Sequence, residues 1–263
     1  MLMTALPLIW GEGGAFDPAS RPQLSYKNLQ REFRVRPLDV LDEAGLASGR
    51  LLLLAQPRAL APVELVALDA WVRGGGRALI LTDPVLVWPS ALPIGDIRRP
   101  PAIGLLGPLL AHWGLALDPP AEARPQPGSI ETTNGKRRIM LGAPGEFRKQ
   151  GGTCRIARAY LASCAIGRGQ AILLADADLL RDETWLRPGA SEGARIVSDN
   201  PLLVADYLDA LAGLSRARPG LGPRRGDAFR VAAAILLAGL ALGVWAWRRR
   251  RGKPQAYPQG SGP

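Results

Sequence analysis

Three aspartates follow apolar runs in this chain. Asp83 ends the stretch RALILTD, and Asp176 and Asp178 end AILLADAD. Carboxylates at the ends of adjacent strands can hold Mg²⁺, a hard cation that takes oxygen ligands and keeps several waters. The same residues also suit plain turn chemistry, with Asp83 fixing the turn before Pro84 and Asp176 and Asp178 capping the next one. No phosphate-binding loop accompanies them, which favours the turn reading, and metal ligation by Asp83, Asp176 and Asp178 stays as the alternative. Two cysteines, Cys154 and Cys164, stand ten positions apart. A lone C-x9-C with no histidine beside it is not a zinc site. In an oxidising compartment the pair can close a disulfide loop worth about 2–3 kcal/mol, and in a reducing one they are two small apolar side chains.

Covalent catalysis needs a nucleophile on a sharp turn and a base to activate it. The sequence has neither G-x-S-x-G nor G-x-C-x-G, and its single histidine, His112, lies in the helical stretch LLAHWG. It therefore assigns no catalytic residue and no cofactor. Trp88, Pro89, Pro93 and Asp96 fall in an irregular, proline-rich excursion at a strand's C-terminal end, where α/β proteins place their sites. Aromatic and proline residues there suit contact with a partner, and equally suit folding of the loop onto its own domain.

These residues must be positioned by the elements around them. The stretch ELVALDAWVRGGGRALILTDP carries three consecutive glycines, Gly74–Gly76. Phosphate-binding glycines follow a strand and open a helix. Here a helix over 62–73, opened by Pro62, precedes them and a buried strand over 77–82 follows, so they are a helix exit with Gly74 as the left-handed residue. With a strand over 50–55 this makes a βαβ unit. The pattern also predicts a strand over 2–10, a helix over 24–33, a strand over 35–41 weakened by Pro37, and a helix over 103–113 with Pro108 as kink or boundary. A hairpin turning at Asn134-Gly135 follows. Strands over 155–166 and 171–175 come next, then a helix capped by Asp199 and Asn200 that runs from Pro201 to Ala212, ahead of Gly213. The expected class is α/β, a mainly parallel sheet flanked by helices, with added hairpins and one C-terminal transmembrane helix.

Composition locates the charge. The formal net charge is +10, yet ten of the basic residues and one acid, Asp227, lie from Arg216 onward. Residues 1–215 are close to neutral, which removes the basic face that nucleic-acid binding requires. Residues 231–247 (VAAAILLAGLALGVWAW) are uncharged and flanked by Arg230 and Arg248–Arg251. About 17–20 apolar residues span a bilayer core. The organisation reads as a domain over 1–213, a basic Gly/Pro/Arg linker over 214–228, a transmembrane helix over 229–247 and a basic tail over 248–263. Five positive charges stand on each side of the helix, and the abutting RRRR block favours a cytoplasmic C-terminus with the domain outside. MLMTALPLIW lacks a basic n-region and a cleavage site. Export then uses an upstream segment, or the protein is tail-anchored with a cytoplasmic domain.

Two blocks resemble one family. RLLLLAQPRALAPVELVALDAWVRGGGRALILTDP is similar to the central block of GldG-type auxiliary proteins of ABC transport systems. GQAILLADADLL with DNPLLVADYLDALAG resembles their late strand, Asp-x-Asp and the helix before the membrane. The resemblance covers residues 50–84 and 169–250. It implies a class I glutamine-amidotransferase-like domain tethered by a C-terminal membrane helix, and this chain differs in having no N-terminal membrane helix. The implied function is a non-catalytic, membrane-anchored accessory subunit of an ABC-type transport or cell-envelope system, with the bilayer and permease and ATPase subunits as partners. The alternative is a membrane-tethered, metal-dependent hydrolase using Asp83, Asp176 and Asp178.

Overall fold

Residues 62–73 form a helix because Pro62 costs nothing in a first turn, where its missing N–H has no partner to serve. Leu68 and Val72 then share one buried face. In the computed structural model, which describes residues 1–14, 16–18, 21–186 and 197–219, this helix links two parallel strands. In chain order the elements are β1 (Leu2–Thr4), α1 (Leu24–Glu32), α2 (Glu43–Ala47), β2 (Leu51–Ala55), α3 (Pro62–Arg73), β3 (Arg77–Leu81) and α4 (Gly107–His112). Then follow β4 (Leu115–Asp118), β5 (Gln126–Thr132), β6 (Gly135–Leu141), β7 (Glu146–Lys149), β8 (Arg155–Arg158), β9 (Leu161–Ile166) and β10 (Gly169–Leu174). A 3₁₀ turn (Asp178–Leu180), α5 (Asp182–Trp185) and α6 (Asn200–Ala212) complete the described chain.

One six-stranded sheet has the order β1-β2-β3-β10-β9-β8. Its first four strands run parallel, and β9 and β8 are added antiparallel. Two smaller antiparallel pairs, β4–β7 and β5–β6, stand apart from it. The central strands LLLLA and RALIL are apolar at almost every position because both of their faces are covered. Leu53, Leu79 and Leu81 join the core under α6, and Leu52, Leu54 and Ile80 join the core under α3 and α4. The fold is mixed α/β, with a parallel-rich sheet flanked by helices.

Several elements depart from the sequence pattern for local reasons. The strand expected over 2–10 stops at Thr4, whose Oγ1 accepts the Leu6 N–H at 2.9 Å and turns the chain ahead of Pro7. Residues 35–41 make one isolated bridge, Leu2 to Pro37, because proline has no N–H for a ladder. Pro108 does not kink a helix over 103–113 but stands in the first turn of the shorter α4. Gly74 stays right-handed, and the left-handed residue at the helix exit is Gly75, with φ +114°. Gly76 is required by packing, since a Cβ there would lie 2.4 Å from the Trp71 ring.

In the β5–β6 hairpin the turn residues are Thr133 and Asn134, while Gly135 (φ +99°) already pairs with Thr132. The span 155–166 divides at Ala159-Tyr160 into β8 and β9, and β10 begins at Gly169 rather than at 171. Asp199 and Asn200 do not cap α6 with their side chains. Asp199 Oδ2 accepts the Arg138 N–H at 3.0 Å, and Asn200 bonds both the N–H (2.9 Å) and the carbonyl (2.8 Å) of Met140. They dock the helix onto β6, whose backbone groups would otherwise lack partners. Gly213 ends α6 left-handed, with φ +70°.

Among the described residues no helix is long and apolar enough to cross a membrane. The span expected over 229–247, the tail over 248–263 and linker residues 220–228 lie outside the described residues.

Candidate functional site

β3 and β10 are parallel neighbours with Leu81 opposite Leu174. Residues just past the two strand ends therefore emerge together at one end of the sheet. Asp83 and Asp176 occupy these places, and Asp178 follows in the 3₁₀ turn. One carboxylate oxygen from each of the three lies within 4.8 Å of the other two. All three side chains are fully buried.

Their oxygens are engaged by backbone. Asp83 accepts the N–H groups of Val85 (2.9 Å) and Ala177 (3.2 Å). Asp176 accepts those of Gly142 (2.7 Å) and Leu179 (2.9 Å). Asp178 Oδ2 accepts the Val87 N–H at 2.8 Å, while its Oδ1 has no hydrogen bond and faces Arg181 Nη1 at 3.8 Å. The cluster thus fastens the loop after β3, the residue after β6 and the turn after β10 to one another. A Cβ at Gly142 would lie 2.3 Å from Asp178 Cβ, so only glycine fits there.

Burial and mutual repulsion set the protonation. Burial, then the negative field of Asp178, pushes Asp83 up to about 7. Burial, then Asp83 and Asp178, raises Asp176 well above the ordinary range. Burial also raises Asp178, against the opposing pull of the Val87 N–H and Arg181. Three acids this close cannot all ionise in a dry site. The arrangement can hold protons between carboxyls, or a cation if water reaches it.

Sequence reasoning missed Gln56, the residue after β2. Gln56 is fully buried and holds φ +39°, which non-glycine residues rarely adopt. Its Oε1 accepts the Asp83 N–H at 2.8 Å, and its Nε2 donates to the carbonyls of Asp83 (3.2 Å) and Pro101 (3.0 Å). It clamps the start and end of the excursion after β3. Within that excursion Trp88 is half-buried against the core, Pro89 and Pro93 are exposed, and Asp96 is bound by Arg98 at 2.7 Å. Ile94 and Ile97, 93% and 99% exposed, form its apolar outer surface. Sequence reasoning passed over them because a loop isoleucine has no periodicity to betray its direction.

The family described as "ABC-type uncharacterized transport system" matches residues 5–140, just over half of the chain. The chain belongs to this family. Membership gives this ABC-transport auxiliary chain an accessory role in an ABC-type transport system. No curated protein sequence matches it. Among solved structures, the mmIFT52 N-terminal domain is similar at 12% identity and a TM-score of 0.48, with 73% of this chain and 90% of that one covered. The exo-β-1,4-mannosidase Op5Man5 from Opitutaceae bacterium strain TAV5 is similar at 16% identity and a TM-score of 0.39, over 63% of this chain and 29% of that one. The β-galactosidase from Bacillus circulans sp. alkalophilus is similar at 13% identity and a TM-score of 0.43, over 73% of this chain and 26% of that one. The chain therefore spans under a third of either glycosidase.

Elsewhere in the auxiliary chain, Cys154 and Cys164 form a disulfide that ties the residue before β8 to β9. Both cysteines are buried in the α3–α4 core. His112 is exposed at the end of α4, 3.1 Å from Arg73 and 3.5 Å from Asp69. It stands with an ion pair between two helices, and no hydroxyl or thiol is among these partners.

Proposed function

We propose that this chain is a membrane-anchored, non-catalytic accessory subunit of GldG type. Its domain is a glutamine-amidotransferase-like unit without a nucleophile, held outside the cytoplasm by a helix over 229–247, and it contacts permease and ATPase subunits through the loops after the strands. The observation that carries the non-catalytic reading is the closure of the carboxylate cluster: Asp83, Asp176 and Asp178 are fully buried and accept five backbone N–H groups. A hydrolytic site needs an open path to water and substrate, so the cluster fits a structural clamp. The exposed Ile94 and Ile97 support the loop after β3 as the contact surface.

The test is a mild-detergent pull-down from native membranes with a tag after Pro263. A permease and an ATPase subunit co-purify with the wild type, and Ile94→Asp with Ile97→Asp reduces their yield several-fold. A chain that purifies alone from intact membranes overturns the reading. One observation favours the tethered metal-dependent hydrolase, namely the convergence of the three carboxylates within 4.8 Å. That reading requires Mg²⁺ or Mn²⁺ binding that disappears in Asp176→Ala, and calorimetry on the full chain is expected to find no such binding.

A further inference from the structure

The opposite end of the sheet, at the start of the parallel strands, carries a different chemistry. A cavity of about 580 Å³ opens there between the ends of α3 and α6. Arg50, Arg77 and Arg168 line it, with Gly74 and Gly75 of the helix exit. A second cavity of about 490 Å³ adjoins it, and Arg50 and Leu51 line both. The second is apolar inside, with Leu29, Phe33, Leu53 and Leu208, and is edged by Arg34 and Arg36.

Five arginines gather around the two cavities: Arg34, Arg36, Arg50, Arg77 and Arg168. Arg58, Arg137 and Arg218 each pair with a carboxylate. Among the described residues, Arg34, Arg36, Arg50, Arg77 and Arg168 pair with none. Arg77 donates to Gln170 Oε1 at 3.3 Å and Arg168 to the Gly74 carbonyl at 3.1 Å. These single bonds leave most of each guanidinium's five N–H donors unused. The C-terminal ends of α3 and α6 also face the first cavity, and their dipoles amount to about half a negative charge each. Three guanidinium charges outweigh them.

We propose that the two cavities together bind one anionic phospholipid, its phosphate in the arginine-lined cavity and an acyl chain along the apolar one. Planar guanidinium forks match phosphate oxygens two at a time, and three of them suit a phosphate better than a carboxylate. The adjoining apolar wall has no use for a free phosphate and suits a hydrocarbon chain. Each cavity lies within the roughly 300–1,000 Å³ range of small-ligand pockets. The site is built from described residues of the domain alone, so it stands whether or not residues 229–247 cross a bilayer.

Thermal unfolding of the full chain in a non-ionic detergent tests this with soluble probes. Dihexanoyl phosphatidic acid is expected to raise the melting temperature saturably. Its apparent affinity is expected to exceed by at least about tenfold that of inorganic phosphate, which has no chain for the apolar cavity, and of dihexanoyl phosphatidylcholine, whose phosphate carries a choline cation toward the arginines. Arg50→Gln, at the junction of the cavities, weakens the phosphatidic acid at least about tenfold. Arg168→Gln acts in the same direction, and Arg155→Gln on the edge strand β8 has no effect. Inorganic phosphate binding as tightly as phosphatidic acid overturns the lipid, and phosphatidylcholine doing so overturns the arginine site. No saturable shift, or the same shift in Arg50→Gln, overturns both.

Discussion

Replacing Asp178 by asparagine is expected to stabilise the protein at neutral and alkaline pH. The reason lies in the cluster's geometry. Asparagine keeps an oxygen for the Val87 N–H and gives up the attraction of Arg181, 3.8 Å from Asp178 Oδ1, in exchange for removing the repulsion among the three acids. Two unit charges 4.8 Å apart repel by about 3.5 kcal/mol at an effective dielectric of about 20. Asp83, moved from 3.8 to about 7, carries a folding cost of about 4 kcal/mol once ionised. Burial is the largest part of that cost, and the field of Asp178 comes second. Folded-state values are raised, so the protonated cluster's stability is fully present below the unfolded-state value near 3.8 and is lost as pH rises through about 7. Burial of Asp83 persists in the variant, so about half the cost is recovered, roughly 2 kcal/mol or about 4–8 °C in Tm at pH 8. The gain shrinks toward zero at pH 4, where the wild-type acids are neutral. Thermal melts of the full chain in detergent with EDTA at pH 4, 6 and 8 measure this. Asp178→Ala, which loses the Val87 bond, serves as the control and is less stable throughout. Equal melting temperatures for wild type and Asp178→Asn at pH 8, or a less stable variant, would refute the reasoning.

Other perturbations follow from the same structure. Arg137→Met leaves Asp206, fully buried 2.6 Å from the guanidinium, without its main counter-charge, and is expected to cost about 3 kcal/mol at pH 7 in equilibrium unfolding. Burial pushes Asp206 up, but Arg137, Asn134 and Thr132 outweigh it and hold it below the usual range. Because that value is depressed, the Arg137→Met loss is smaller at pH 3 than at pH 7. Cys154→Ala opens the loop closed with Cys164 and is expected to cost about 2–3 kcal/mol, with thiol titration of the unfolded wild type showing no free cysteine. Gly142→Ala drives a methyl to 2.3 Å from Asp178 Cβ and is expected to cost about 1–3 kcal/mol by overpacking. Amide exchange at Val85, Val87 and the substituted position 142 should quicken in that variant.

The sequence made the local part of this architecture readable and little of the rest. The helix Pro62–Arg73 and its two strands were legible because Pro62, the apolar spacing and the glycines act within one stretch of chain. The carboxylates were legible as three acids after strands. That they meet depends on β10 entering the sheet beside β3, a pairing no local pattern encodes. Gln56 lay hidden for the same reason, since its partners, Asp83 and Pro101, are distant in sequence. The β4–β7 pair was illegible because its strands lie on either side of the β5–β6 hairpin in the sequence and meet only through tertiary pairing. Asp199 and Asn200 read as caps because asparagine and aspartate usually are, and a tertiary demand, the free backbone of β6, took them instead.

The strand order also has a consequence in time. β3 is completed at Leu81, but the strand that covers its far side, β10, ends at Leu174. Roughly ninety residues must emerge between the two, about 5–20 s at ordinary rates of synthesis. During that interval the edge of RALIL stands unpaired, an apolar template to which any other extended chain can add. A chain broken off before Gly169 never closes that edge, so truncated products of this protein are destined for aggregates or for a chaperone.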